Sequence, residues 1–299
     1  MAAIKASAQI SWIGMGKMGL PICKRLHGAG FQVRVLCRND ASASIAKTNG
    51  FDVARTIAEA AEGADVVASA ISDDKALFDI TFADGGLKDR LSREQIYIDT
   101  STVSPDASAR VAEVLSRIRC AYLRAPVSGS TATAVQGALT ALVSGPADAF
   151  GAMADFFAAF TKKAFLVGSG EEARYLKLSL NAMVGATSAL LAESLMLARK
   201  GGMDIQTIMD VVSESAIASP LVQYKRGAIT TGDYTATFSA SQMLKDLDLI
   251  EQAATATSCD MPLISRVRNV YRAAVARGLG DQDFFVLTSG EAGPVPSAK

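Results

Sequence analysis

The sequence predicts an α/β domain with a parallel, doubly wound sheet, followed by an all-α domain, the two joined by one long helix. Three observations carry this. Short apolar runs alternate with helical patterns through the first half of the chain, as strands and crossover helices do in a parallel sheet. A helical pattern spans 171–200 and stops at Gly201-Gly202. Beyond it helical segments dominate, and few runs read as strands. The character of the chain changes after Gly168-Ser169-Gly170, which sets domains at 1–168 and 169–299.

Taken in order, apolar runs at 9–13, 32–36, 65–71 and 96–99 read as strands. Helical stretches at 20–29, 41–47 and 56–62 separate the first three. Ser104-Pro105-Asp106 reads as an N-cap with proline at the first helical position. Further strands are expected at 121–123, 139–143 and 164–167, and Asp204 is expected to cap the helix after the glycine pair. The tail from Glu291 reads as frayed.

Composition narrows the function classes. The 299 residues are 49% hydrophobic, enough for a sizeable core, and 30 basic residues balance 30 acidic ones. A neutral chain lacks the basic excess that nucleic acid or an acidic membrane requires, so neither partner is expected. Cys23, Cys37, Cys120 and Cys259 form no CxxC, which argues against structural zinc and for reduced thiols in a cytoplasmic protein. No metal is expected. His27 is the only histidine, which removes Ser-His-Asp triads and His-based zinc sites. The start shows no charged region followed by a separate apolar one, so no signal peptide is expected. The longest apolar tract, 178–198, has the length of a membrane span. Asn181, Thr187, Ser188 and Glu193 recur within it at helical spacing, so it reads as a buried helix between domains.

Gly14-Met15-Gly16-Lys17-Met18-Gly19 is GxGxxG directly after a strand and opening a helix. Gly14 permits the tight turn, Gly16 lets the backbone approach a pyrophosphate, and Gly19 lets helix pack on strand. The first domain is therefore a dinucleotide-binding, Rossmann-type domain. At the end of the second strand, about 20 residues beyond the loop, an NAD site carries an acidic residue for the ribose. Arg38 stands there, which favours the 2′-phosphate of NADP over NAD, with Asp40 as the alternative ribose ligand.

With histidine removed, proton transfer falls to Lys, Tyr, Asp, Glu or Cys. Lys177 and Asn181 are four apart in the long helical pattern and so share one face, which Gly185 and Ala189 continue. Leu176, Leu180, Met183 and Leu190 form a separate apolar stripe. Spacing alone fits a solvated lysine as well as one facing a cleft.

These motifs together resemble the β-hydroxyacid dehydrogenase family, over almost the whole chain. The glycine loop matches the family's opening motif, with Met15 and Met18 inside it. Asp99-Thr100-Ser101-Thr102 with Ser104-Pro105 is similar to its D-x-S-T-x-x-P segment. Ala125-Pro126-Val127-Ser128-Gly129-Ser130 is similar to A-P-V-S-G-G, and Gly137-Ala138-Leu139-Thr140 to G-T-L-T. Lys177 and Asn181 match K-x-x-x-N. Phe238 and Lys245-Asp246-Leu247 match F…K-D-L. The resemblance implies Thr102 beside the nicotinamide ribose, Lys245 near the cofactor, a substrate carboxylate held by Ser128, Gly129 and Ser130, and Lys177 with Asn181 as catalytic pair.

Several positions depart from that pattern. Arg124 stands where the family usually has aspartate, Ser130 replaces a glycine, Leu180 replaces an asparagine, and Pro146 replaces a glycine. Arg124 either reaches a second anionic group on the substrate or forms a structural ion pair.

The activity implied is reversible NAD(P)-dependent hydride transfer between a short 3-hydroxy acid and its semialdehyde. Lys177 would be general acid and base, its pKa brought down from about 10.4 by burial and a nearby cation. An imine reductase shares the architecture, but that family usually carries aspartate or tyrosine at the lysine position. A nucleotide-binding protein without catalysis is the other alternative. The family resemblance also implies a homodimer or homotetramer.

Overall fold

The computed structural model describes residues 3–5 and 7–290; the tail from Glu291 lies outside the described residues. The chain divides into two compact units, Met1–Lys177 and Leu178–Lys299. The division falls inside the long helix Glu172–Lys200, because the first turn of that helix is bonded into the first unit. Ala173 N–H donates to Ser144 Oγ at 3.3 Å, and Arg174 is fully enclosed there.

The first unit is built on a nine-stranded sheet. The strands are β1 (Gln9–Ile13), β2 (Gln32–Leu36), β3 (Asp52–Ala54), β4 (Val66–Ser69), β5 (Ile96–Asp99), β6 (Ala121–Arg124), β7 (Val127–Ser128), β8 (Leu139–Ser144) and β9 (Thr161–Gly168). Their order is β3-β2-β1-β4-β5-β6-β8-β7, with β9 on β8. The run from β3 to β6 is parallel, and β8 is antiparallel to β6 and β7. Every residue of β4 and β5 is buried, as expected of parallel strands covered on both faces. Trp12, Ile22, Leu26, Phe31 and Phe156 fill one apolar cluster; Leu77, Tyr97, Val111, Leu115 and Tyr122 fill another.

The strand ends are stitched level. Ala70 N–H donates to Ile13 O at 2.8 Å, Thr100 N–H to Ser69 O at 2.9 Å, and Ala125 N–H to Asp99 O at 2.8 Å. The loops after β1, β4, β5 and β6 therefore share the C-terminal edge of the sheet. The strand order reverses between β1 and β4, and ligands of open α/β sheets bind outside the strand ends at such a switch point.

Local sequence accounts for the helices. Asn39, Thr56, Asp73 and Ser104 each accept a first-turn N–H, and Pro105 opens helix Pro105–Arg117 at N1. Such caps are worth about 1 kcal/mol each.

The second unit is helical, with an isolated antiparallel bridge between Ser239 and Asp283. Asp204 caps helix Ile205–Glu214, and Ser219 caps Pro220–Thr231. Ser239 and Gln242 form a capping box on Ala240–Ala256, and Pro262–Ala274 follows. Leu178, Ala182, Ala189, Leu191 and Leu195 of the long helix pack with Met243, Leu247, Tyr271 and Phe285. By length and composition alone that helix could cross a membrane; instead this face lies in the core of the unit. The expectation of a buried helix needs correction on the other face. Leu176, Met183, Leu190 and Leu197 are 38%, 58%, 67% and 77% exposed. The helix is apolar on two sides, and among the described residues only one is covered.

Candidate active site

The glycine loop leaves β1 and enters helix Gly19–Gly28. Gly14 sits at φ +98°, where an added Cβ would stand 2.2 Å from Ala70 O. At Gly19 it would stand 2.0 Å from Gly14 O, which also accepts the Trp12 indole N–H at 3.1 Å. These two glycines are demanded by close approach of backbone to backbone. Gly16 differs: it is exposed, with nothing within 4 Å of an added Cβ. The helix N-cap, Met18, provides no side-chain acceptor for the first-turn N–H groups. Open backbone at an uncapped helix N-terminus fits a pyrophosphate. Met15 and Met18 are half-buried against the first unit's core.

Arg38 is exposed just beyond the C-terminal end of β2. Asp40, the alternative ribose ligand, is held by Arg55 Nη2 at 2.5 Å. Asn39 is spent on capping the helix Asp40–Thr48.

Thr102 lies, half-buried, in the loop between β5 and helix Pro105–Arg117. A buried polar network anchors that loop. Asp99 Oδ1 accepts from Ser69 Oγ at 2.7 Å and from Ser101 Oγ at 2.6 Å. Ser101 Oγ in turn accepts from Ile71 N–H at 2.8 Å. Arg174 Nη2 donates to Asp99 Oδ2 at 2.6 Å and to Tyr122 Oη at 3.0 Å, and Nη1 to Ser101 O at 2.7 Å. Burial lowers the guanidinium pKa, but Tyr122 and Asp99 outweigh it and the net shift is upward. Burial likewise pushes the Tyr97 and Tyr122 phenols up. The motif placed Asp99 in view without a role; Arg174 gave no signal, since a buried arginine on a helix reads locally like a solvated one.

Ser128 ends β7, Gly129 follows at φ +141°, and Ser130 caps the short helix Thr131–Val135. Ser130 N–H donates to Thr133 Oγ1 at 2.8 Å, and Ser130 Oγ accepts from Thr133 N–H at 3.3 Å. The backbone donor expected from Ser130 is therefore engaged within the helix cap. Arg124 Nε donates to Glu171 Oε1 at 2.9 Å, with its guanidinium 4.6 Å over the Tyr122 ring. Of the two readings of Arg124, the ion pair is the one observed.

Lys177 is half-buried on the long helix, one turn before Asn181. Asn181 is buried and donates Nδ2–H to Asp246 Oδ2 at 2.6 Å. Lys245 Nζ lies 2.7 Å from Asp246 Oδ1. An ionised carboxylate only accepts, so Asp246 fixes the carboxamide with nitrogen toward it. One Asn181 N–H remains for another acceptor. The K-D-L motif contained this aspartate, but its role needed the contact across 65 residues. At Gly185, which continues the Lys177–Asn181 face, Met243 Sδ stands 3.1 Å from where an added Cβ would lie.

A glycine loop at the switch point of a doubly wound sheet, followed by a helical unit, defines an NAD(P)-dependent oxidoreductase. Residues 9–168 match the family model described as the NAD-binding domain of 6-phosphogluconate dehydrogenase. Residues 168–288 match the NAD-binding model of NADP-dependent 3-hydroxyisobutyrate dehydrogenase. The chain belongs to the β-hydroxyacid dehydrogenase family. It is 27% identical over 286 residues to a Pseudomonas aeruginosa NAD-dependent L-serine dehydrogenase, covering 93% of this chain and 96% of the relative. It is also 27% identical to Arabidopsis thaliana chloroplastic glyoxylate/succinic semialdehyde reductase 2, covering 93% and 78%. A Mycobacterium tuberculosis 3-hydroxyisobutyrate dehydrogenase structure with L-serine superposes with TM-score 0.85 at 26% identity, covering 95% and 98%.

Proposed function

We propose that the chain transfers hydride reversibly between a short 3-hydroxy acid and its semialdehyde, with Lys177 as general acid and base. The observation that carries this is the placement of Lys177 one helical turn from Asn181, whose carboxamide is oriented by the buried Asp246. Relatives named for serine and for glyoxylate or succinic semialdehyde support the substrate class. When bound, the nicotinamide supplies or accepts the hydride. Lys177, neutral, takes the hydroxyl proton in oxidation and returns it in reduction. The remaining Asn181 N–H holds the reacting oxygen. Ser128, Gly129 and the Ser130 hydroxyl hold the substrate carboxylate. Gly14, Met15, Gly16, Met18 and Gly19 form the phosphate loop, Thr102 and Lys245 approach the cofactor, and Arg38 selects NADP. The last assignment draws support from Asp40, which is already paired with Arg55.

Lys177→Ala tests the central role. It should lower kcat by about 10²–10⁴ while cofactor affinity stays nearly intact. A variant keeping more than about a tenth of wild-type kcat would end the assignment.

The exposed stripe supports a homodimer or homotetramer. Leu176, Met183, Leu190 and Leu197 recur every seven residues, the spacing that seats one helix against another.

A further inference from the structure

The Asp99–Arg174 pair is the most enclosed charged pair among those described, its side chains 0% and 1% exposed. The proposed chemistry leaves both residues without a task. A buried ion pair is weak evidence for stability, since desolvation consumes most of its attraction. What the contacts do is join elements. The guanidinium grips the Asp99 carboxylate at the end of β5, the Ser101 carbonyl beside Thr102, Ser108 Oγ of helix Pro105–Arg117 at 3.2 Å, and Tyr122 Oη of β6. All four lie in the first unit, as does Lys177, three residues further along the same helix. Three residues advance a helix by about 4.5 Å and return to nearly the same face. The loop that bears Thr102 and the turn that bears Lys177 are thus held to one rigid fork.

We propose that Arg174, clamped by Asp99, is a positioning residue that sets the Lys177 amine relative to the Thr102 loop. The claim rests on the reading of Lys177 as acid–base group. Arginine suits the task because its planar donors reach several acceptors in fixed directions; a lysine ammonium lacks that fork. Displacing a reacting group by about 1 Å can cost about 10²-fold in rate without loss of binding.

The test is Arg174→Lys in the full chain, with succinic semialdehyde and NADPH as probes and Lys177→Ala in parallel. Arg174→Lys should lower kcat by about 10²-fold. The KM for the semialdehyde and the NADPH dissociation constant, read by cofactor fluorescence, should stay within about threefold of wild type. With chemistry slowed, the primary deuterium isotope effect on kcat should rise, and amide exchange at 100–104 should quicken. A purely structural role would lower thermal stability but leave the isotope effect and the kcat of folded enzyme alone, and that result overturns the proposal. So does a parallel loss of cofactor affinity. If Arg174→Lys does not fold, Asp99→Asn, which keeps the shape and removes the charge, should show the same split in smaller degree; unchanged kcat and isotope effect there overturn it. An active Lys177→Ala removes the amine role and this claim with it. An inactive Lys177→Ala beside an unaffected Arg174→Lys removes the positioning claim alone.

Discussion

Asp246 offers a sharp test of how the carboxamide is held. Its side chain is buried, accepts Asn181 Nδ2–H at 2.6 Å and sits 2.7 Å from Lys245 Nζ. Asp246→Ala leaves the buried Asn181 amide without its acceptor, a cost of about 1–3 kcal/mol. The Lys245 contribution is smaller, about 0–1 kcal/mol, because that side chain is 31% exposed and water replaces the lost partner. The sum, about 1–4 kcal/mol, corresponds to a fall in melting temperature of roughly 2–6 °C for a chain of this length. Asp246→Asn keeps an acceptor but can also donate, so it no longer dictates which end of Asn181 faces it. Its stability loss should be about 1 kcal/mol, and kcat should fall by about tenfold with KM little changed, since orientation rather than binding is lost. Scanning calorimetry and steady-state kinetics on both variants read the two effects separately. Wild-type kcat in Asp246→Asn would refute the orienting role. A melting temperature unchanged in Asp246→Ala would refute the hydrogen-bond accounting.

Further outcomes follow from the same geometry. Arg38→Ala should raise the KM for NADPH far more than that for NADH; equal effects on both would remove the argument for NADP. Leu190→Glu, at a 67% exposed position, should shift the chain toward monomer in sedimentation. An unchanged oligomer distribution would show that the stripe is not the contact. Burial pushes the Cys120 thiol up to about 12 and raises those of Cys23 and the Tyr97, Tyr122 and Tyr271 side chains. The folded state therefore holds these protons more tightly than the unfolded one. Their stabilising effect is complete below the unfolded thiol value of about 8.5 and is lost as pH rises toward 12. Urea midpoints should fall from pH 8 to 10, and a flat profile would contradict the burial. In native protein at pH 8 a thiol reagent should label Cys259, which is exposed, ahead of the other three.

The fold was legible where one element carries its own pattern. β1, β2 and β5 are apolar runs bounded by turns, and their limits read directly from the chain. β3 and β7 did not show, because Asp52–Ala54 and Val127–Ser128 are too short to display a two-residue period. Helix Asp74–Phe82 likewise went unread. In the candidate site, glycines and the Lys177–Asn181 spacing are local facts, visible at once. Arg174 and Asp246 act through partners 75 and 65 residues away; nothing beside Arg174 in the chain distinguishes it from a surface charge, and the K-D-L motif held Asp246 without revealing its role. The long helix misled for a physical reason: its apolar residues serve two faces, and a linear run does not say how many sides are covered.

The Arg124–Glu171 pair has a consequence for how this chain could diverge. Placing aspartate at 124 by itself would set two carboxylates against each other in a nearly dry setting, so the exchange weakens the fold unless position 171 is altered at the same step. A designer who replaces one of these two residues, 47 apart in the chain, must therefore replace its counterpart as well.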